Sequence, residues 1–426
     1  MPLDYPIHER TLENGLRVIV SPDHTTPIVA VNLWVGVGSR HEEPGRTGFA
    51  HLFEHLMFQG SAHVAKGEHF EALMAEGGRL NATTWFDRTN YFEVVPRGAL
   101  DLALWLEADR HGRLLEAVTQ DNLDNQRDVV KEEKRQRYDN VPYGEALQDL
   151  YALIFPEGHP YHHPTIGSMG DLDAAGLEDV HRFFRRWYGP NNTVLTLCGD
   201  LTAEEGFAAA ERYFGELPAS ATPDTQQVAP LAPLHEPART DRHDEVPNAR
   251  LYLGFRLPAD GDPDFLAACL ALEAIAGLST SRLVRRLVRQ DTLANSADAV
   301  AMGLAAGVSL GLVVVDVAED TDLAEVERCT LEELRRFAQE GPTPAEMEAA
   351  LAQTERSWLS SLASLEERAD QLSQHALLHD DPGLVNSYLD RLGEVGTEQV
   401  RAVAARWLRP ESRAVVAHHV PEEEAA

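Results

Sequence analysis

The sequence predicts an α+β protein of two homologous domains, each a mostly antiparallel β-sheet packed with α-helices, the two facing each other as a clamshell. Three observations lead there. A chain of 426 residues is too long for one ordinary hydrophobic core and implies at least two units. Apolar β-branched runs are interspersed with amphipathic helical patterns in both halves. Finally, EDVHRFFRRWYGPNNTVLTL at 178–197 lines up at constant offset with EQVRAVAARWLRPESRAVVA at 398–417. That alignment pairs Glu178 with Glu398, Val180 with Val400, Arg186 with Arg406, Trp187 with Trp407 and Pro190 with Pro410. A helix, a Trp near its end, a Pro turn and a strand close each half, as duplication of one domain would leave them. The proline-rich stretch 218–240 is the best linker, dividing a domain 1–217 from a domain 241–426.

In chain order, Leu16–Val20 and Ile28–Val37 read as neighbouring strands separated by the turn-rich SPDHTTP. A polar glycine-containing loop precedes the first helix, within GFAHLFEHLMFQGS, and a second helix over about 68–76 ends at Gly77 and Gly78. RLNATTWFDRTNYFEVVP reads as a hairpin turning around Phe86–Thr89, followed by a helix from Gly98 to about Arg113 and a charged helix over about 120–138. A histidine-rich loop, HPYHHPTIG, has prolines that break regular ligand spacing and is read as structural or substrate-adjacent. A helix, the strand TVLTLCGD and another helix complete the first half. After the linker come the strand LYLGFRL, helices over 263–290, strands in ADAVAMG and VSLGLVVVDV, helices over 322–338, 343–377 and 397–408, and a last strand near Arg413–His418.

Bulk properties narrow the function. Hydrophobic content of 43% and charged content of 25% are those of an ordinary globular protein. A formal net charge of −32 argues against nucleic acid and anionic membrane surfaces as partners, since phosphate binding needs a basic face. No window approaches 18 consecutive apolar residues and MPLDYPIHERTLENG lacks the apolar run of a secretory signal, so a cytoplasmic location is expected. Cys198, Cys269 and Cys329 are far apart and form neither a disulfide framework nor a thiolate metal site.

The stretch that carries chemistry is H-L-F-E-H at 51–55. On a helix advancing about 100° per residue, His51 and His55 share a face and Glu54 projects beside them. Imidazoles are good zinc ligands, and a carboxylate next to the metal can take a proton from water; the order H-x-x-E-H is the inverzincin signature. Packing histidines at the edge of a core are the plainer alternative. Hydrolytic zinc sites use three protein ligands, and by spacing alone Glu132, Glu133, Asp109 and Glu107 compete for the third place.

Taken together, GFAHLFEHLMFQGS, GGRLNATTWFDRTNYF, RDVVKEEK and YGPNNTVLTLCGD resemble the pitrilysin family of zinc peptidases, which includes insulin-degrading enzyme and the mitochondrial processing peptidases. The resemblance spans essentially the whole chain. It implies one zinc ion, peptide-bond hydrolysis with Glu54 as general base, and a third ligand 77 positions after the second histidine, at Glu132. It also implies that Asn81, Ala82 and Thr83 form an edge strand pairing with an extended peptide substrate. Two departures stand out. Where many members have a glutamate seven positions before the ligand glutamate, this chain has Asn125, which is uncharged. Where active single-chain members carry an Arg/Tyr pair in the second half, this chain has Val288 and Asn295, neither of which supports an oxyanion well. The expectation is therefore the zinc subunit of a heterodimer whose homologous partner lacks H-x-x-E-H and supplies the Arg/Tyr pair. A homodimer, a non-catalytic structural member and a peptide-binding member are the alternatives.

Overall fold

The computed structural model describes residues 3–221 and 227–421; part of the expected linker, 222–226, lies outside the described residues. Two sheets organise the chain. The first has the order β1-β2-β6-β3-β5-β4, formed by β1 (His8–Thr11), β2 (Arg17–Pro22), β3 (Ile28–Val35), β4 (Arg79–Thr84), β5 (Thr89–Pro96) and β6 (Thr193–Gly199). The second has the order β7-β11-β8-β10-β9, formed by β7 (Ala238–His243), β8 (Arg250–Leu257), β9 (Ala294–Met302), β10 (Ser309–Val317) and β11 (Arg413–His419). Each sheet is antiparallel except for one parallel pair, β2 with β6 and β7 with β11. Those parallel pairs occupy equivalent places, and β6 and β11 are the two strands of the sequence repeat. The helix Leu177–Trp187 precedes β6 across the short turn Pro190–Asn192, as the helix Thr397–Trp407 precedes β11 across Pro410–Ser412. The mixed α+β class and the duplicated sheet are as the sequence predicts.

The units are not contiguous in sequence. One comprises 1–133, 164–226 and 359–388, the other 134–163, 227–358 and 389–426. Where the sequence placed uninterrupted domains at 1–217 and 241–426, packing gives each sheet a helix from the other half of the chain. Leu365–His379 lies on β3 and β6 of the first sheet, where Leu365 and Ala369 join a buried cluster with Ala30, Val94 and Cys198. Ser373 Oγ donates to Thr196 Oγ1 (2.8 Å) and Arg368 Nη1 to Asp23 Oδ2 (2.9 Å) along the same contact. On the second sheet, Ala146–Ile154 packs over β8 so closely that a Cβ at Gly254 would lie 2.9 Å from side chains of Leu150 and Ile154. Local periodicity cannot foretell such an exchange, because an apolar helix stripe does not specify which sheet will cover it.

Four further helices frame the site: α1 (Phe49–Leu56), α2 (Glu68–Ala75), α3 (Leu100–Arg113) and α4 (Gln120–Lys134). The first-sheet core joins Val18, Val20, Val29, Val31, Leu33, Val95, Leu195 and Leu197 to Ala103, Leu104 and Leu106 of α3. Strands β1 and β7 and the helices Ala146–Ile154, Met169–Ala174 and Leu384–Gly393 are additions to the predicted elements. The strand β7 takes residues 238–240 out of the expected linker.

Candidate metal centre

Helix α1 is fixed at its start by backbone conformation and by a buried carboxylate. Gly48 caps it at φ 81°, a left-handed conformation, and a Cβ there would sit 2.5 Å from Ile166 O. Glu42 accepts from the backbone N–H groups of Gly48 (2.9 Å) and Ala50 (2.7 Å), satisfying donors that the first helical turn leaves open. Phe53 packs its ring 4.6 Å from Tyr188 and 5.2 Å from Phe183, which orients the opposite face of α1. His51 and His55 emerge on that face with ring centres 4.8 Å apart.

Glu133, on the last turn of α4, is the carboxylate that meets them. Its Oε2 lies 3.3 Å from His55 Nε2 and 3.7 Å from His51 Nε2. The three donor atoms fall within 4.8 Å of one another, a grouping that does not include Glu132. Two imidazole nitrogens and one carboxylate oxygen are a donor set suited to zinc. The placement corrects the sequence expectation, and the reason is helical phase. Buried Leu123, Gln126 and Val130 mark the inward stripe of α4, and Glu133 continues it, seven residues after Gln126. Glu132 is rotated about 100° away and is exposed. Asn125 moves out with it: exposed, its Oδ1 accepts from Lys66 Nζ (3.3 Å) and Gln126 Nε2 (3.0 Å). The decisive sequence signal was the choice between Val129 and Val130 as the core-facing residue. Val129 is 42% exposed and Val130 fully buried.

Glu54 stands beside this group, its Oε2 accepting from Thr84 Oγ1 at 2.5 Å. Burial raises its pKa, while the Thr84 hydroxyl and the charges of His55 and Arg88 oppose the rise. Thr84 ends β4, which is the edge of the first sheet. The hairpin closes with Trp85 N–H donating to Arg88 O (2.9 Å), so Thr83 with Asn90 and Asn81 with Phe92 are the hydrogen-bonded pairs. The main-chain groups of Leu80, Ala82 and Thr84 therefore face the open edge. Of the three expected edge residues, Ala82 presents its backbone outward, while Asn81 and Thr83 turn theirs to β5. Asn81 Oδ1 accepts the Ala82 N–H at 2.9 Å.

Other candidates have structural partners. Asp109 accepts from Ser61 Oγ (2.6 Å) and from the backbone N–H of His63 (3.1 Å). In the histidine-rich loop, His162 Nδ1 lies 2.7 Å from Phe155 O, and Tyr161 Oη accepts from Ala306 N–H at 2.8 Å. In the second unit, Val288 lies in the helical turn Val284–Gln290, and Asn295 in β9 donates to Asp316 Oδ1 (2.8 Å) and Val317 O (3.1 Å).

A second group, His69, Glu93 and Glu107, is fully buried behind β5. His69 Nε2 is 3.7 Å from an oxygen of each carboxylate. Arg110 already occupies the centre, bonded to Glu107 through Nη2, with its guanidinium carbon 4.7 Å from the Phe58 ring centre and 4.6 Å from that of Tyr91. Burial and the neighbouring Glu107 charge push Glu93 well above the usual carboxylate range. Glu107 is held well below it, despite burial, by Arg110. Arg110 supplies Glu107 with a counter-charge and burial favours the neutral form of Glu93, so the group balances its own charge.

Known proteins resemble the chain over most of its length. Residues 17–163 match the family model described as insulinase (peptidase family M16), and residues 175–354 match the model described as the peptidase M16 inactive domain. The chain belongs to peptidase family M16. Zinc protease PqqE of Helicobacter pylori is 29% identical over 389 residues, covering 89% of this chain and 86% of that protein. A probable mitochondrial-processing peptidase subunit beta of Schizosaccharomyces pombe is 27% identical over 429 residues, 96% and 90% of the two chains. The crystal structure of a protease from Helicobacter pylori matches at TM-score 0.90 and 26% identity over 97% of this chain and 99% of that one. A peptidase M16 inactive domain from Pseudomonas fluorescens shares the fold at TM-score 0.86 and 18% identity, over 98% and 99% of the chains. Among the described residues of this family member, no helix is long and apolar enough to cross a membrane.

Proposed function

We propose that the chain is a zinc-dependent endopeptidase that hydrolyses extended peptides, with zinc held by His51, His55 and Glu133. The convergence of both Nε2 atoms on the Glu133 carboxylate carries the reading, and the zinc-protease names of several relatives support it. Zinc would polarise the scissile carbonyl and make a water more acidic. Glu54 takes that water's proton and delivers it to the leaving amine, and its burial suits a carboxyl that must carry a proton both ways. The peptide backbone pairs with the outward groups of Leu80, Ala82 and Thr84 on β4.

The second unit supplies no Arg/Tyr pair at Val288 and Asn295, and Asn295 is committed to Asp316. This favours a working enzyme made with a homologous chain that carries the pair. A structural or peptide-binding member of the family is the competing reading, consistent with the fold shared with an inactive domain. Metal analysis and peptide hydrolysis decide between them. The zinc-loaded chain should hold one zinc, Glu133→Gln should lose it and Glu132→Gln should keep it. Glu54→Gln should keep zinc and lose turnover. Rapid hydrolysis by the chain alone would overturn the need for a partner; absence of zinc binding would overturn the peptidase reading itself.

A further inference from the structure

The hairpin bordering the metal centre is tied to a helix from the far end of the sequence. Asp370, on the helix Leu365–His379, gathers three donors on one oxygen: Trp34 Nε1 (2.7 Å), Asn90 Nδ2 (3.0 Å) and Asn32 Nδ2 (3.2 Å). All three donor residues are buried, at 1–3% exposure, and without Asp370 their polar groups would lose this acceptor. The bonds continue outward. The Thr83 hydroxyl donates to Asn90 Oδ1 (2.5 Å), and Arg88 Nη1 donates to the Thr83 hydroxyl (2.5 Å) and carbonyl (2.9 Å). Arg88 also lies over the Trp34 ring, 4.9 Å from its centre. Every donor in the path Arg88–Thr83–Asn90–Asp370 points the same way, from a cation to an anion, an arrangement in which the bonds polarise one another.

Thr83 is anchored on this face of the sheet, and the next residue, Thr84, reaches Glu54 on the other. We propose that Asp370 and Arg88 are positioning residues: together they hold the edge strand β4 and, through Thr84, the Glu54 carboxylate in register for an extended peptide. This deepens the peptidase reading and rests on it. The C-terminal half thereby contributes to the catalytic unit a polar clamp whose loss changes substrate binding more than metal binding.

The test compares Asp370→Ala, Asp370→Asn and Ser373→Ala. Asparagine retains an acceptor oxygen for the three donors. Ser373 is one turn further along the same helix, buried against β6, and reports on loosening the helix without touching the clamp. In the zinc-loaded Glu54→Gln background, binding of a fluorescent peptide of about ten residues is read by anisotropy. Asp370→Ala is expected to weaken binding at least 10-fold, with hydrogen exchange of the Asn81 and Thr83 amides, which face β5, accelerated and zinc content unchanged. Asp370→Asn should recover most of the affinity, and Ser373→Ala should leave both readouts near the parent. Where the parent turns over peptide, KM should rise more than kcat falls. Equal losses in Asp370→Ala and Ser373→Ala, or no loss in either, overturn the clamp. Failure of the parent to bind zinc would instead overturn the reading beneath it.

Discussion

Glu93→Gln should stabilise the protein above about pH 5, and increasingly so as pH rises. Folded Glu93 is pushed well above the ordinary value of 4.5 by burial and by Glu107. A group whose pKa is raised on folding contributes fully below its unfolded pKa and loses that contribution as pH climbs toward the folded pKa, because folding must take a proton from solution. One proton gives a slope of about 1.4 kcal/mol per pH unit. Glutamine has the same shape, and its amide can donate to Glu107 without needing that proton. The stability difference between variant and parent should be flat below pH 4.5, then grow by about 1.4 kcal/mol for each pH unit up to the folded pKa. In a unit of this size each kcal/mol moves Tm by roughly 2–4 °C, so the gap in Tm should widen by roughly 3–6 °C per pH unit over that range. Glu107 is shifted the other way, so its contribution is lost as pH falls below 4.5; this is common to both proteins and largely cancels. Thermal unfolding followed by circular dichroism, with chelator present to remove metal linkage, measures the difference. Parallel Tm–pH curves for the two proteins between pH 5 and 7 would show that Glu93 is ionised in the fold and refute the reasoning.

Arg110→Met removes the guanidinium bonded to Glu107 and should cost about 3–5 kcal/mol, as breaking a buried ion pair does; chemical denaturation measures it. Gly48→Ala forces a side chain into a left-handed position 2.5 Å from Ile166 O; the expected cost exceeds about 1 kcal/mol, with weaker zinc binding because His51 begins its turn from that residue. Gln126→Ala removes a buried side chain from the stripe of α4 that carries Glu133 and should weaken zinc binding more than Asn125→Ala does; competitive titration with a chromophoric chelator separates them. Chelation should abolish any hydrolysis, and added zinc should restore it.

The sequence exposed much of this site because helical geometry is local. His51, Glu54 and His55 needed only the pitch of one helix to be placed together, and the duplicated Trp–Pro–strand unit disclosed two sheets. The third ligand depended on the phase of a charged helix, where two adjacent glutamates and two adjacent valines leave the inward direction ambiguous by one residue. A spacing carried over from relatives gave Glu132; burial of Val130 turned Glu133 inward. Edge position for β4 was expected, yet which of its residues face outward is set by the hairpin closure at Trp85 and Arg88, one residue out of phase with two of the three candidates. Asp370 had no local sign at all. Its partners are more than 270 positions away in sequence, and an acidic residue on an amphipathic helix is ordinarily a solvated one.

The crossed helices bear on how the chain can be divided. A fragment ending near 217 would carry the complete first sheet but leave bare the surface on β3 and β6 that Leu365–His379 covers. The remaining fragment would have no Ala146–Ile154 to close over Gly254. Expressed apart, both pieces should be sticky and poorly soluble. Expressed together they should find each other, because each holds the helix that the other's sheet lacks.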